Sequence, residues 1–400
     1  MPNKSELKAA ANISLLKKHY FFWGWLPENV VLVIFYQQLL DSYALVGLIF
    51  MLMRLFIALF TIPAGILSDY MGRKNTLIIS AAFYCLTKAC YLAALFFMPF
   101  EMLLLSSLFY GLAESFILST NQSLLYETLK MQKREDEFHK VYGRTKAFHN
   151  AGLAASGLAG GLTASVLSFK YVMIMALAGS MVFLAISMKL YNVAGYKKEK
   201  NKFGHLKKAL RDLVSNPRLS WLLAAESTDA GGSRAMGEYM PLYIQTIIPY
   251  WAMGAMKSLG QAACVTALWL SGNLAAVFGK IRVFKFFISL APVSAALALM
   301  ANGIATPFLL LAGDFGAGVT HPISAEIRQK EYAERRRATM GSLFIIINNL
   351  AEGAGSLLIG LLAAVVTPYY ALIAFLGLRF VAIPIFFRAV SVQNPQTNPD

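Results

Sequence analysis

Long apolar runs in this chain are interrupted by a few ionisable residues: Glu28, Arg54, Glu114, Glu226, Asp229, Arg234, Asp314 and Glu352. A charge at the centre of a bilayer costs roughly 2.5–3.5 kcal/mol on insertion scales, so such residues face a partner or a wet cavity. Glu226 and Asp229 are three apart and share a helix face. Two carboxylates that close resist being ionised together, which suits a group that must load and unload a proton. Arg54 has the fork geometry to clamp a carboxylate, or to pair with Glu28 or Glu114. Arg234 follows Asp229 across Gly231-Gly232, where a loosened helix frees backbone groups for a ligand. Asn348 and Glu352 also share a face. Acids and bases together suit a polar, zwitterionic or carboxylate-bearing solute better than a lipophilic cation. The competing reading is structural, with each acid satisfied by a nearby base. Lys88 and Arg379 read as paired or snorkelling groups, Lys257 as either snorkelling or functional, and His149 and His321 as core groups. Trp23, Trp25, Trp221 and Trp251 read as interfacial anchors, with the first two also placed to reach a cavity.

The elements that must hold these groups are membrane helices. Hydrophobic residues make up 57% of the 400 and charged residues 14%, with a mean hydropathy of +0.56. That is membrane composition. Runs of about 20 apolar residues suffice to cross a bilayer. They recur near 20–39, 43–67, 76–97, 102–126, 147–168, 171–190, 219–247, 251–278, 283–302, 305–327, 338–366 and 368–388. The net charge of +15 is unevenly spread. Lys and Arg crowd the N-terminus, the turns holding Arg73-Lys74 and Lys280 to Lys285, and the 4–5 loop with Lys130, Lys133, Arg134, Lys140 and Arg144. They also crowd the 6–7 segment with Lys197, Lys198, Lys200, Lys202, Lys207, Lys208 and Arg211, and Arg335-Arg336-Arg337. The opposite side carries only Lys170. Topology thus accounts for the charge, rather than nucleic acid. Both termini are expected in the cytoplasm. Pro2 to Lys18 is polar and basic, so no cleavable signal is expected there. Cys85, Cys90 and Cys264 fall inside spans and form neither a disulfide framework nor a metal site.

Between the second and third spans runs Gly65-Ile66-Leu67-Ser68-Asp69-Tyr70-Met71-Gly72-Arg73-Lys74. Its glycines allow a close turn, its acid can meet a base or a helix N-terminus, and Arg73-Lys74 pins it to the basic side. The spacing resembles the G-x-L-x-D-x-x-G-R-K loop of the major facilitator superfamily. Gly65, Asp69, Gly72, Arg73 and Lys74 are therefore the candidate gating residues. The chain also repeats itself. Gly65-x-Leu67 and Gly72-Arg73 return 207 residues later as Gly272-x-Leu274 and Gly279-Lys280, with Ala276 replacing the acid. The same offset maps Phe35-Tyr36-Gln37-Gln38 onto Leu242-Tyr243-Ile244-Gln245, and further on Gly143, Asn150 and Gly157 map onto Gly341, Asn348 and Gly355 at 198. Gly152, Ser156-Gly157 and Gly160-Gly161 in the fifth span resemble the G-P-x-x-G-G motif of antiporters, or serve close packing. The fourth span has Ser107-Leu108-Phe109-Tyr110-Gly111 where drug:proton exporters carry Arg and Gln. Tyr126 to Leu129 and Glu137 to Arg144 resemble a bacterial branch of the superfamily.

The resemblance implies an all-α membrane protein of twelve transmembrane helices in two six-helix pseudo-symmetric bundles. Residues 1–190 and 218–400 would be the bundles, and 191–217 a cytoplasmic linker. The first, fourth, seventh and tenth helices would line a cavity between them, and each carries a carboxylate. The expected function is proton-coupled secondary transport by alternating access in the bacterial inner membrane, by a monomer. Export (antiporter-type efflux of a metallophore, metabolite or drug) is favoured over proton-driven import of an organic anion or amino-acid-like solute. A lipid flippase or a non-transporting receptor is the reading from another class. No phosphate-binding G-x-x-x-x-G-K-[ST] loop, nucleophile elbow or zinc motif occurs, so neither ATP drive, enzyme activity nor a cofactor is expected.

Overall fold

The computed structural model describes residues 4–192, 202–332 and 337–392. Lys197, Lys198, Lys200, Arg335 and Arg336 lie outside them. The described chain is helical: α1 (Lys4–Trp23), α2 (Leu32–Leu40), α3 (Tyr43–Met71), α4 (Arg73–Ala93), α5 (Pro99–Met131), α6 (Phe138–Val166), α7 (Phe169–Lys189) and α8 (Lys202–Ser215). Then follow α9 (Pro217–Asp229), α10 (Ala235–Ile244), α11 (Tyr250–Phe278), α12 (Lys280–Ala301), α13 (Thr306–Glu331), α14 (Arg337–Val365) and α15 (Pro368–Ser391). Twelve crossings result when α1 with α2 and α9 with α10 are each taken as one interrupted span and α8 as a linker helix.

Among the described residues, eight helices are long and apolar enough to cross a bilayer by length and composition alone: α3, α4, α5, α7, α11, α12, α14 and α15. The other four spans fall short for visible reasons. The first and seventh are interrupted, and the fifth and tenth carry many small or polar residues. In the first, α1 ends at Trp23, and a 3-10 turn at Pro27–Val30 precedes α2. Pro27 cannot donate a backbone hydrogen bond, and Gly24 before it weakens the helix. In the seventh, a π-helical turn at Ala230–Arg234 separates α9 from α10, where Gly231-Gly232 gives the backbone little reason to stay α-helical. Gly24 and Gly231 stand 207 residues apart, the offset of the sequence repeat, so both breaks share one register.

Contacts divide the chain into two compact units. One comprises Met1–Leu40, Leu55–Lys200 and Tyr250–Ser258; the other Asp41–Arg54, Asn201–Pro249 and Leu259–Asp400. In the first, α4 packs on α5 and α7, and α1 on α6. Leu16, Tyr20, Leu77, Ile117, Leu124 and Phe183 form its core. In the second, α12 packs on α13 and α9 on α15, around Leu222, Phe284, Val319, Ile323 and Phe386. Between apolar helices in lipid, packing and hydrogen bonds replace the hydrophobic effect as the binding force, so small residues at the contacts matter. On α6, Gly152 and Gly160 meet the carbonyls of Phe21 and Pro27, and Ser156 Oγ donates to the Gly24 carbonyl at 3.3 Å. This stripe, one residue per turn, seats the broken first span.

Candidate functional site

In the first unit, Glu28 sits in the 3-10 turn and pairs with Lys88 of α4; their side chains are 1% and 3% exposed. The Lys88 ammonium also lies 5.1 Å from the Tyr91 ring centroid and 6.0 Å from that of Tyr84. Glu114 of α5 accepts from the Tyr84 hydroxyl, which in turn accepts from Trp23 Nε1 at 3.2 Å. Lys146 of α6 lies 4.8 Å over the Trp23 ring and acts on Glu114 electrostatically, and His149 packs tilted against Trp23 with ring centroids 4.3 Å apart. A small pocket here is lined by Trp23, Trp25, Tyr84, Lys88 and Ser180.

The second unit holds the densest network. Arg54 Nη2 lies 2.7 Å from Glu238 and 2.8 Å from Glu352, so one guanidinium nitrogen serves two carboxylates. Arg54 Nε also donates to Glu238 at 3.2 Å, and Ser356 Oγ donates to the other oxygen of Glu238 at 2.5 Å. Arg234, 53% exposed, reaches Glu352 at 3.5 Å, the longest ion pair here. The π turn projects Arg234, α10 carries Glu238, and α14 carries Glu352 and Ser356, with Gly355 packed against the Gly231 carbonyl. Glu226 is held separately: it accepts from Arg328 at 2.5 Å, Ser324 at 2.6 Å and Asn348 at 3.4 Å. Asp229 experiences Arg379, Arg234 and Glu226 electrostatically, and Arg379 experiences both Asp229 and Asp314. Asp314 occupies space left by Gly260 of α11.

The gating stretch differs from a loop. α3 runs on to Met71, past the expected end at residue 67, so Gly65 and Asp69 are helical. Only Gly72, at φ 84°, stands outside helix, packed beside Asn192. Arg73 opens α4 and bonds Asp69 at 3.1 Å, Glu127 at 3.2 Å and Ser68 Oγ at 2.8 Å; Lys74 follows it, half-buried. The second copy repeats the turn: Gly279 has φ 85°, and Lys280 bonds Glu326 of α13 at 2.5 Å, which Lys330 joins at 2.9 Å. In the 4–5 loop, paired hydrogen bonds from Arg134 hold the exposed Glu137 carboxyl below its ordinary range.

Several expected partners change. Arg54 bonds Glu238 and Glu352 rather than Glu28 or Glu114, and Glu28 takes Lys88. Glu226 and Asp229 do share a neighbourhood, but each has its own guanidinium. Glu238, Tyr84, Lys146 and Arg328 were not singled out from the sequence. The signal for Glu238 was its place four residues after Arg234 in an apolar run. Among the described residues, no group of three or more His, Cys, Asp or Glu could hold a metal ion.

Residues 21–356 match the family model of the Major Facilitator Superfamily. No curated protein is detectably similar in sequence. Among solved structures, the nucleoside transporter NupG superposes with a TM-score of 0.74 at 16% identity, covering 98% of this chain and 100% of that one. An autoinhibited POT family peptide transporter gives 0.77 at 13%, covering 98% and 99%. A bacterial homologue of the human lysosomal transporter Spinster gives 0.75 at 14%, covering 98% of each. At these identities the likeness is one of fold.

Proposed function

This chain belongs to the Major Facilitator Superfamily, and from that premise we propose a proton-coupled secondary transporter of a small carboxylate-bearing or zwitterionic solute, working by alternating access. It is a multi-pass membrane protein; a bacterial inner membrane, cytoplasmic termini and a monomeric state complete the proposal. One observation carries it: the chain Glu238–Arg54–Glu352–Arg234 beside a helix break. Interrupted spans at matching positions of two repeats are where transporters of this kind expose backbone and polar groups to a ligand.

The chemistry follows from the charge count. Two guanidiniums balance two carboxylates, and of the two Arg234 is the exposed one, with the loosest contact. A solute carboxylate arriving at Arg234 takes the place of Glu352. The cluster then holds an extra negative charge in low-dielectric surroundings, and a proton on Glu352 or Glu238 restores neutrality. Solute and proton are thereby linked. Asp229, Arg379 and Asp314 form a second group beside it, Glu226 is clamped by Arg328, and Glu28 and Glu114 give the first unit its own acids. Export rested on the glycines of the fifth span. Gly152, Ser156 and Gly160 seat the first span, while Gly157 and Gly161 pack on Gly254, so packing accounts for them without it.

The test uses proteoliposomes with an imposed pH gradient, screened with amino acids, di- and tricarboxylates and short peptides. The expected result is gradient-driven movement of a carboxylate solute. Glu238→Gln or Glu352→Gln should abolish dependence on the gradient while solute exchange at equal pH survives. The sign of the driving gradient gives the direction. Transport indifferent to the gradient and to both substitutions would refute the proton site.

A further inference from the structure

The linker helix α8 is held where a span begins. Its last residue, Ser215, is followed by Asn216, which caps α9 by accepting from the backbone N–H groups of Arg218 and Leu219 at 3.0 and 3.2 Å. Ser220 Oγ donates to the Leu213 carbonyl at 2.7 Å, tying the last turn of α8 to the first of α9. Asn216 and Arg218 both bond Glu331 at the end of α13, at 3.1 and 3.0 Å. Trp221, expected from the sequence to anchor at the interface, lies one turn further along α9 beneath the Arg388 guanidinium at 4.5 Å. α8 is therefore fixed against the first turn of the seventh span.

Its faces are unequal. Ala209 and Leu213 are buried against Met340, Leu343 and Phe344 of α14. Leu210 and Val214, one turn apart on the next face, are 43% and 78% exposed. Lys208 and Arg211 are exposed on the far side. A helix with a packed face, an open aliphatic face and a basic face, tied to the start of a span, has the form of an interfacial helix.

We propose that α8 lies on the bilayer surface, with Leu210 and Val214 in the acyl boundary and Lys208 and Arg211 on the headgroups of anionic phospholipids. The opposite charge of such lipids distinguishes this surface from a neutral one, since juxtamembrane Lys and Arg are drawn to anionic leaflets within a Debye length. This rests only on the membrane topology, not on the transport reading.

The experiment places a nitroxide at Val214→Cys, Leu210→Cys or Lys208→Cys in the full chain, with Cys85, Cys90 and Cys264 replaced by Ala. The protein is reconstituted in phosphatidylcholine vesicles with or without phosphatidylglycerol. Power saturation compares oxygen, which concentrates in the bilayer, with a water-soluble nickel chelate. With phosphatidylglycerol, labels at 214 and 210 should favour oxygen and the label at 208 the nickel chelate. Omitting phosphatidylglycerol, adding salt, or introducing Lys208→Glu with Arg211→Glu should reduce the preference at 214. Both charge reversals are at exposed positions, so the fold is retained. A label at 214 as open to nickel as that at 208, or one indifferent to lipid charge and charge reversal, would overturn the proposal.

Discussion

Glu28 and Lys88 illustrate how a charge survives inside this protein. Both side chains are almost wholly buried, so each is stable only through the other and the aromatic rings about the ammonium. Removing one member leaves an uncompensated charge in a medium of low dielectric. Glu28→Gln or Lys88→Met alone should therefore lower stability by about 3–5 kcal/mol, whereas the double substitution should cost clearly less than their sum. A double-mutant cycle followed by thermal unfolding in detergent measures this, and additive losses would refute the pairing. Tyr84 makes a second residue-scale case. Its hydroxyl links Trp23 to Glu114, so Tyr84→Phe removes a donor from one and an acceptor from the other. A loss of about 1–3 kcal/mol is expected by the same measurement. A neutral Tyr84→Phe would mean that Glu114 draws its support from Lys146 instead.

At the scale of elements, the break in the first span and the glycine stripe of α6 make a single design. The broken first span needs a neighbour close enough to cover its exposed carbonyls, and only glycine allows that approach. A Cβ at Gly160 would overlap the Pro27 carbonyl, and one at Gly152 the Phe21 carbonyl. Gly143, on the same helix, has open space in that direction. Gly160→Ala should thus lower stability by an amount typical of overpacking, about 1–3 kcal/mol, while Gly143→Ala should be neutral or gain up to about 1 kcal/mol from helix propensity, both read by thermal unfolding. Equal effects at both positions would rule out the stripe. Spans such as α3, α7 and α15 were legible because a run of apolar residues identifies itself locally. The interrupted seventh span was legible through its glycines, and the repeat through its offset. The partners of Arg54 were not. Glu238 is 184 residues away in sequence, and helical periodicity ranks faces within one helix without choosing between distant ones. Glu28 and Glu114 were equally reasonable by charge, yet each has a donor in its own unit, Lys88 and Tyr84.

At the scale of the whole molecule, duplication has produced two turns of one geometry and unequal strength. Gly72 and Gly279 adopt nearly the same positive φ, 84° and 85°, and each is followed by a base that opens a helix and bonds an acid on the next helix. Around Arg73 the environment is buried and the guanidinium serves Asp69, Glu127 and Ser68. Around Lys280 the side chains are 41% and 42% exposed, and position 276, equivalent to Asp69, is alanine. Arg73→Ala leaves two acids without their cation and should cost about 2–3 kcal/mol, partly recovered when Asp69→Asn or Glu127→Gln is added. Lys280→Ala removes a half-exposed pair and should cost less than about 1 kcal/mol. The difference belongs to the missing acid, so Ala276→Asp, one turn before Lys280, should add a few tenths of a kcal/mol and make Lys280 harder to lose. Thermal unfolding of Lys280→Ala with and without Ala276→Asp compares the two directly: an unchanged cost for Lys280 would place the inequality in burial, and a larger one in the acid lost after duplication.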